Sequence, residues 1–248
     1  MPKKIAVLIP ARYNSKRIPK KPILKIGKDT LINKTFKNLL NCFNKKDIFV
    51  ITDHKNIVKS LKPLTKNIIF SKKKFLNGTE RCSYAIKYIR KNYDYFLIVS
   101  CDNPFLNKKL FSFIKKKIKY IDSKTEALTI HTNISEKKAE NENIAKILIN
   151  KFNDVVYISR SKLPFVFKKN NKVKFFSHHG LVVFKKKLLI NYKNLYLGQE
   201  QFAEDNEWLK LIFNNIKFKS YFYKNIEPEI NTKKDLKKYF PIIFKNIK

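Results

Sequence analysis

Short apolar runs of strand length alternate along this chain with segments of helical periodicity, and this alternation constrains the fold more than any other feature. Residues 5–9 form the first run, and residues 95–100 are apolar enough for a central strand. Between them, residues 31–41 carry apolar side chains at helical spacing. Such alternation is typical of parallel strands joined by crossover helices. The sequence therefore predicts an α/β protein with a mainly parallel sheet.

The second half of the chain has a different character. Several strands follow one another between residues 125 and 180, together with an acidic turn-like stretch and a basic loop. Because no Gly/Ser/Pro-rich linker separates the two halves, we interpret residues 1–248 as a single domain with an inserted smaller lobe at about 125–180. The other predicted strands are 48–52, 127–132, 145–150, 155–159 and 175–184, and the other predicted helices are 56–61, 80–91, 204–214 and 235–240.

The net charge of the chain is strongly positive. Lysine and arginine number 55 against 19 acidic residues, which gives +36 and raises the possibility of nucleic-acid binding. However, the excess is mostly lysine, spread from end to end, with abundant Asn, Ile and Phe. A/T-rich codons encode these four residue types, so biased genome composition explains the charge more simply. We therefore predict no specific nucleic-acid partner, although the field would attract anionic substrates.

Membrane segments and covalent cross-links are not expected. The longest apolar stretches are far shorter than a bilayer requires, and the N-terminus runs directly into the first strand without the pattern of a signal peptide. Three scattered cysteines, at positions 42, 82 and 101, support neither a disulfide framework nor a zinc site. These features predict a cytoplasmic protein without a membrane span.

A basic loop directly after the first strand is the first candidate site. It contains four cationic side chains and a serine: Arg12, Lys16, Arg17, Lys21 and Ser15. Cationic groups and backbone amides fixed at the end of a strand suit a polyphosphate. The loop is not a Walker motif, because the glycines of that motif are missing. Composition alone leaves open the alternative of a solvated basic loop.

A carboxylate at the end of the central strand is the second candidate. Asp102 follows residues 95–100, and ligands bind at the carboxyl ends of strands in open α/β sheets. A carboxylate that faces a basic loop across a cleft suits a metal–phosphate site. Taken alone, Asp102 is equally explained as a turn former before Asn103-Pro104.

Beyond these two sites, an ordered series of motifs extends over most of the chain. The motifs are Pro10-Ala11-Arg12 with Ser15, Arg17, Pro19, Lys21 and Pro22; Thr52-Asp53; Gly78-Thr79-Glu80-Arg81; Asp102 with Pro104; Asn143 with Lys146; Tyr157, Ser159 and Arg160 with Pro164; and His178 with Gly180. In order and spacing, the series resembles the sugar cytidylyltransferases, and most closely the 3-deoxy-manno-octulosonate (Kdo) cytidylyltransferase family.

The resemblance implies a Rossmann-like nucleotidyltransferase sheet and a definite reaction. An enzyme of this kind transfers CMP from CTP to a 3-deoxy sugar acid, most closely Kdo, and releases pyrophosphate. Its product would supply lipopolysaccharide or other surface-polysaccharide synthesis, and the enzyme would be a Mg²⁺-dependent homodimer. The implied catalytic residues are Lys21, Arg81 and Asp102; the implied substrate-binding residues are Ala11, Arg12, Ser15, Arg17, Lys21, Arg81 and His178; and the implied metal ligands are Asp102 and Asn231.

Four departures from the family pattern fall in the site. Ser100-Cys101-Asp102-Asn103-Pro104 stands for Gln-Gly-Asp-Glu-Pro, and Lys20 replaces a glycine of the basic loop. Val182 replaces a tyrosine, which we interpret as the loss of a hydroxyl from the sugar pocket. Most seriously, Asn231 replaces the aspartate that serves as the second metal ligand.

Two interpretations of the Asn231 substitution stay open. In the first, Glu229 compensates, because residues two apart on a strand share a face. In the second, the enzyme acts on another sugar acid, such as an amino-Kdo or a sialic-acid-like sugar, or is a catalytically impaired nucleotide-binding paralogue.

Overall fold

Nine strands form one sheet, in the order β11-β7-β10-β6-β1-β4-β5 with β8 and β9 branching from β10, among the residues that the computed structural model describes: 3–15, 18–119, 121, 123–168, 172–224 and 226–240. The strands are β1 (Ile5–Ala11), β2 (Lys25–Ile26), β3 (Asp29–Thr30), β4 (Ile48–Thr52), β5 (Ile68–Phe70), β6 (Tyr95–Ile98), β7 (Ala127–Ile134), β8 (Lys146–Ile149), β9 (Val155–Ser159), β10 (Phe175–Lys185) and β11 (Phe218–Phe222). The strands β2 and β3 form a separate hairpin.

The helices connect these strands. They are α1 (Leu31–Leu40), α2 (Lys55–Leu61), α3 (Gly78–Ala85), α4 (Lys108–Lys119), α5 (Glu136–Ala139), α6 (Lys186–Asn191), α7 (Gln199–Ala203), α8 (Leu209–Phe213) and α9 (Lys233–Tyr239). Short 3-10 turns lie at Lys21–Ile23, Lys45–Asp47, Ile86–Tyr88 and Tyr192–Asn194. No helix within the described ranges is long and apolar enough to cross a membrane.

The parallel part of the sheet confirms the predicted fold class. β1 pairs in parallel with β4 and β6, and β4 pairs in parallel with β5. β10 runs antiparallel between β6 and β7, and β11 adds a parallel edge strand to β7. Because β1, β4 and β6 point the same way, the segments that follow them meet at one edge of the sheet.

Two apolar layers cover the sheet, one on each face. Alternate residues of β1 enter different layers: Val7 and Ile9 pack with α1 and α4, whereas Ala6 and Leu8 pack with α3, α6 and α8. This double burial explains why residues 5–9 form an uninterrupted apolar run, as parallel strands covered on both faces do. The layers hold the strand ends rigidly in place.

Most predicted elements are present, but the helix predicted at 204–214 is wrong in its first half. The chain forms α7, leaves helical geometry at Asp205, whose φ is 43°, and re-enters it at Leu209. The Glu204 side chain bonds to the segment after β9, which draws it away from a helical register. The prediction also missed β5 and α4, and the turn-like stretch at 135–143 contains the short α5.

The region predicted as an inserted lobe shares the central sheet. β7 and β10 belong to the main strand order, while β8 and β9 form an antiparallel pair that joins β10 through Ser177 and Lys146. The division into a single domain with a lobe at about 125–180 stays a prediction.

Candidate active site

The loop after β1 lies beside the end of β4. Ala11 is buried as the last residue of β1, Arg12 is exposed, and Ser15 is half-buried. The Tyr13 amide donates to Asp53 Oδ1 at 3.1 Å, which anchors the loop to the residue that follows β4. The predicted residue Arg17, like its neighbour at position 16, lies outside the described residues.

Lys21 enters the site through a tight turn. Lys20 adopts φ 54° and ψ 25°, a left-handed conformation that glycine adopts without strain, and a 3-10 turn begins at Lys21. The Lys21 side chain is buried, and its Nζ lies 2.5 Å from Asp102 Oδ2. The structure therefore brings together the predicted catalytic lysine and aspartate, which are far apart in sequence.

The segment that precedes α9 lies against Asp102. The Ile230 amide donates to the Asp102 carbonyl at 3.0 Å, and Asn231 Nδ2 donates to Glu229 Oε2 at 3.0 Å. Burial raises the pKa of Glu229, and the nearby Asp102 carboxylate raises it further, while the Asn231 hydrogen bond and Lys21 oppose this rise. Asp102, Glu229 and Asn231 are thus neighbours, although residues 226–231 lie outside any strand.

These oxygen atoms fit a hard divalent cation. Asp102 Oδ1 is buried and has no hydrogen-bond partner among the described residues, so one carboxylate oxygen is available for a ligand. Mg²⁺ is commonly held by one or two carboxylates together with substrate phosphates rather than by a complete protein cage. No group of three or more His, Cys, Asp or Glu side chains in the described ranges is arranged as a metal site.

Arg81 forms a second charged pair at the same edge of the sheet. It projects from α3, is 6% exposed, and places Nη2 2.8 Å from Asp53 Oδ2. Its guanidinium also lies 5.1 Å from the centre of the Phe75 ring. Arg81 Nη1 is buried without a hydrogen-bond partner in the part of the chain described, so a donor is available to an anion. Asp53 was part of a sequence motif, but its pairing with Arg81 was not predicted.

Glu207 is a buried carboxylate that the sequence interpretation missed. It accepts hydrogen bonds from Gly78 N at 3.2 Å, from Thr79 N at 3.0 Å and from Thr79 Oγ1 at the start of α3. Burial raises its pKa, while the Thr79 and Gly78 hydrogen bonds and the charge of Arg12 oppose this rise. An acidic cluster at 204–207 in so basic a chain was the available signal, but it equally matched a solvated helix face.

Glu204 organises a further set of motif residues. Its carboxylate accepts from Ser159 Oγ at 2.5 Å and from Arg160 N at 2.6 Å. Lys146 is fully buried and donates to the carbonyls of Asn141, at 2.9 Å, and of Arg160. These hydrogen bonds join the segments after α5 and β9 to the turn between α7 and α8.

His178 lies in the interior of the sheet. Its Nε2 is 3.1 Å from Thr129 Oγ1 on β7, and burial lowers its pKa to about 3, which keeps the ring neutral near pH 7. Two residues further along β10, a Cβ built on Gly180 would lie 4.0 Å from Glu229 Oε1. The His178-x-Gly180 motif therefore passes directly beside the Asp102 region.

Val182 does not line an open pocket. The side chain is fully buried in the apolar layer that contains Leu8 and Phe184, and it pairs with Ile98 of β6. The interpretation that a pocket hydroxyl is missing here is corrected by this burial, because a valine in this position completes the core.

Comparison with known proteins identifies the family of the whole chain. The chain matches the cytidylyltransferase family over residues 6–227. It is 29% identical over 237 residues to the 3-deoxy-manno-octulosonate cytidylyltransferase of Rickettsia canadensis (strain McKiel), covering 94% of this chain and 93% of the relative. It is 27% identical to the protein of the same name from Protochlamydia amoebophila (strain UWE25), covering 93% and 91%.

Solved structures share the fold. The structure of CMP:2-keto-3-deoxy-manno-octonic acid synthetase complexed with CTP superposes with a TM-score of 0.87 at 22% identity, covering 98% of this chain and 100% of that one. A cytidylyltransferase from Leptospira borgpetersenii serovar Hardjo-bovis (strain JB197) gives a TM-score of 0.54 at 18% identity, covering 93% and 79%. Since the family match extends over most of the sequence, the chain belongs to the cytidylyltransferase family.

Proposed function

We propose that this protein transfers CMP from CTP to 3-deoxy-manno-octulosonate, with release of pyrophosphate, for the synthesis of lipopolysaccharide or another surface polysaccharide. The observation that carries the proposal is the Lys21–Asp102 pair, with Nζ 2.5 Å from Oδ2, at the strand edge beside the loop that follows β1. The relatives named above, which match this chain over most of its length, support the choice of sugar acid.

The reaction requires stabilisation of phosphate charge. The oxygen of the anomeric hydroxyl forms a bond to the α-phosphorus of CTP and its proton is released to solvent. The bond from the α-phosphorus to the bridging oxygen breaks, and pyrophosphate leaves with the electron pair. Negative charge grows on the phosphate oxygens, and cationic groups fixed in advance stabilise it. Arg12, Ser15, Arg17 and Lys21 would hold the triphosphate. Arg81 would donate through Nη1, which has no hydrogen-bond partner among the described residues.

Magnesium is the proposed cofactor. Asp102 would hold it, together with the oxygen-bearing side chains of the 229–231 segment. When bound, Mg²⁺ neutralises charge on the phosphates and on the leaving group. Lys21 already pairs with the Asp102 carboxylate in the protein itself. The ion would therefore have to balance only the negative charge that remains.

The sugar acid is proposed to bind on the β10 side of the site. His178 is neutral, so it offers the sugar hydrogen bonds without adding charge. Because buried polar contacts discriminate strongly between substrates, the departures at Asn103 and in the 229–231 segment favour a second candidate, the same chemistry on an amino-Kdo or sialic-acid-like sugar. If no sugar acid is converted, the protein is interpreted as a catalytically impaired nucleotide-binding protein.

A cytoplasmic homodimer is also proposed. Cys42, Cys82 and Cys101 are free thiols, as reducing compartments favour. Phe165 and Phe167 expose 79% and 86% of their surfaces, and exposed aromatic residues in a folded protein are candidates for a subunit contact. Sedimentation of the native protein beside Phe167→Ser tests the dimer, which the substitution is expected to weaken.

Product analysis tests the proposed reaction. The purified protein is incubated with CTP, Mg²⁺ and one sugar acid at a time, and CMP-sugar and pyrophosphate are quantified by mass spectrometry and a coupled assay. We expect CMP-Kdo and pyrophosphate in equal amounts. Efficient conversion of another acid in preference to Kdo would replace Kdo as the proposed substrate. Absence of product with every sugar acid would overturn the transferase proposal.

A further inference from the structure

We propose that Glu229 supplies the second negative charge at the cation-facing end of this site, and that Asn231 is a positioning residue for its carboxylate. The inference rests on the proposed function, because it names residues that would face the divalent cation of that reaction. It does not follow from the family pattern, which places the second carboxylate at position 231.

The backbone brings Glu229 to Asp102. The hydrogen bond from Ile230 N to the Asp102 carbonyl, 3.0 Å long, fixes the residue between Glu229 and Asn231 against the end of the β6 segment. Ile230 itself is fully buried in a small apolar cluster with Leu31 and Leu236, so the segment is held by packing as well. The hydrogen bond and the packing therefore place residue 229 beside Asp102.

The charges in this region do not balance. Lys21 is the one basic side chain within ion-pair distance of Asp102 or Glu229 in the described part of the chain, and its Nζ contacts Asp102 Oδ2. Two carboxylates and one ammonium group leave one negative charge, and Asp102 Oδ1 is buried without a hydrogen-bond partner among the described residues. A buried unpaired charge is costly, and a bound cation removes that cost.

Asn231 is bonded in a way that orients Glu229. Its Nδ2 donates to Glu229 Oε2 at 3.0 Å, while its backbone amide donates to Asp235 Oδ2 at 2.9 Å within the cap of α9. The amide group thus fixes one carboxylate oxygen of Glu229. The other oxygen, Oε1, faces Gly180, where a Cβ would lie 4.0 Å away. The absence of a side chain at Gly180 leaves space beside this oxygen.

This arrangement preserves the number of carboxylates that a magnesium site of this type needs. Mg²⁺ binds through one or two carboxylates plus phosphate oxygens and water. Asp102 is one, and a carboxylate at position 229 replaces the one missing at position 231. The neutral Asn231 then matters because of its hydrogen bond rather than its charge.

Manganese binding tests the role of Glu229. The full-length protein is titrated with Mn²⁺ without nucleotide, and free Mn²⁺ is measured by electron paramagnetic resonance. Glu229→Gln is expected to weaken binding by about ten-fold or more. The matched control is Glu227→Gln, which removes the same charge from the same segment; Glu227 Oε1 accepts from Asn107 Nδ2 at 3.3 Å. Equal affinities in the two variants, or no saturable Mn²⁺ site in the native protein, would overturn the inference.

A relocation variant tests the role of Asn231. Glu229→Gln combined with Asn231→Asp moves the carboxylate to position 231, and we expect the lost Mn²⁺ affinity to return. Asn231→Ala alone is expected to weaken Mn²⁺ binding less than Glu229→Gln does. Unchanged affinity in Asn231→Ala would reject the positioning role, and no recovery in a folded double variant would show that position 231 does not face the cation. Thermal unfolding establishes that each variant is folded.

Turnover assays separate this inference from the proposed function. CTP and Kdo conversion by the native protein, with Mn²⁺ affinity that is insensitive to Glu229, would reject the role of Glu229 and keep the transferase. Mn²⁺ affinity that depends on Glu229, without conversion of any sugar acid, would keep the cation site and reject the transferase.

Discussion

Asp102 and Glu207 are both carboxylates removed from solvent, yet their surroundings differ in kind. Glu207 accepts two backbone amide hydrogen bonds and one hydroxyl hydrogen bond at the start of α3. Asp102 has one oxygen paired with Lys21 and one buried oxygen with no partner in the described chain. A buried polar group is normally satisfied within the fold, so an unsatisfied one points to a missing ligand. We therefore infer that Glu207 stabilises the fold and that Asp102 takes part in the reaction.

The largest stability effect is expected at Glu207. Glu207→Gln replaces an acceptor oxygen by an amide that cannot accept, which leaves at least one donor of α3 buried and unpaired. The cost of such a group is about 1–3 kcal/mol. Urea unfolding measures it, with Glu200→Gln as the control, because Glu200 is a half-buried carboxylate on α7. A free energy of unfolding equal to that of the native protein would show that Glu207 is not needed to cap α3.

Arg81 is expected to contribute to nucleotide binding. Arg81→Lys keeps the positive charge but loses the two-pronged guanidinium. In the native protein one prong, Nη2, reaches Asp53, and the other, Nη1, has no partner among the described residues. Since a charge-assisted hydrogen bond contributes about 1.5–3 kcal/mol, we expect the KM for CTP to rise by about ten-fold or more. Steady-state kinetics with CTP as the varied substrate checks this, and an unchanged KM would contradict a role for Arg81 in nucleotide binding.

The histidines of β7 and β10 predict acid sensitivity. Burial lowers the pKa of His131 to about 4, of His178 to about 3 and of His179 to about 4, from a usual value of 6.5. Below pH 6.5 the unfolded chain binds protons that the folded protein does not, so the free energy of unfolding falls as the pH drops toward 4. Urea unfolding from pH 7.5 down to pH 5 measures this.

Two histidine variants control that experiment. His131→Phe is expected to reduce the pH dependence, because His131 is one of the three histidines with a lowered pKa. His54→Gln, outside this group, is the control. A native protein whose stability does not change between these pH values would contradict the account.

The smallest effect is expected at Lys20. A non-glycine residue in the left-handed region costs about 1–2 kcal/mol, and glycine loses part of that gain through its greater freedom in the unfolded chain. Lys20→Gly should therefore raise the free energy of unfolding by about 1 kcal/mol or less. Lys20→Ala is the control, since it keeps the strained backbone. A destabilised Lys20→Gly variant would show that the φ of 54° is not a source of strain.

The sequence was most informative where a feature is local. Apolar periodicity located β1, α1 and β6, and the rule that ligands bind at strand ends drew attention to Arg12 and Asp102. These predictions needed no knowledge of distant contacts. β5 was missed because three residues are too short to show a period, and the start of the helix predicted at 204–214 was wrong because the Glu204 contacts lie outside its own sequence window.

The charge pairs of the site depend on long-range packing. Arg81 meets Asp53 and Glu207 meets Thr79 only after the sheet brings separate segments together. The sequence pattern of an acidic residue in a helix is the same whether its side chain is solvated or buried. The burial of Glu207 could therefore not be predicted. The i, i+2 argument for Glu229 assumed a strand, which residues 226–231 do not form. A side-chain hydrogen bond from Asn231 Nδ2 brings the two residues together instead.

Asp102 is assigned to the reaction and Glu207 to the fold, and a side-by-side measurement of two neutral variants tests this assignment most directly. Pyrophosphate release from CTP, Mg²⁺ and Kdo is measured for Asp102→Asn and Glu207→Gln, each normalised to folded protein. We expect Asp102→Asn to lose about 10²-fold or more in turnover. Its stability should fall less than that of Glu207→Gln, because the amide keeps an oxygen that accepts from Lys21 Nζ. Turnover retained by folded Asp102→Asn, with turnover abolished in folded Glu207→Gln, would contradict the account.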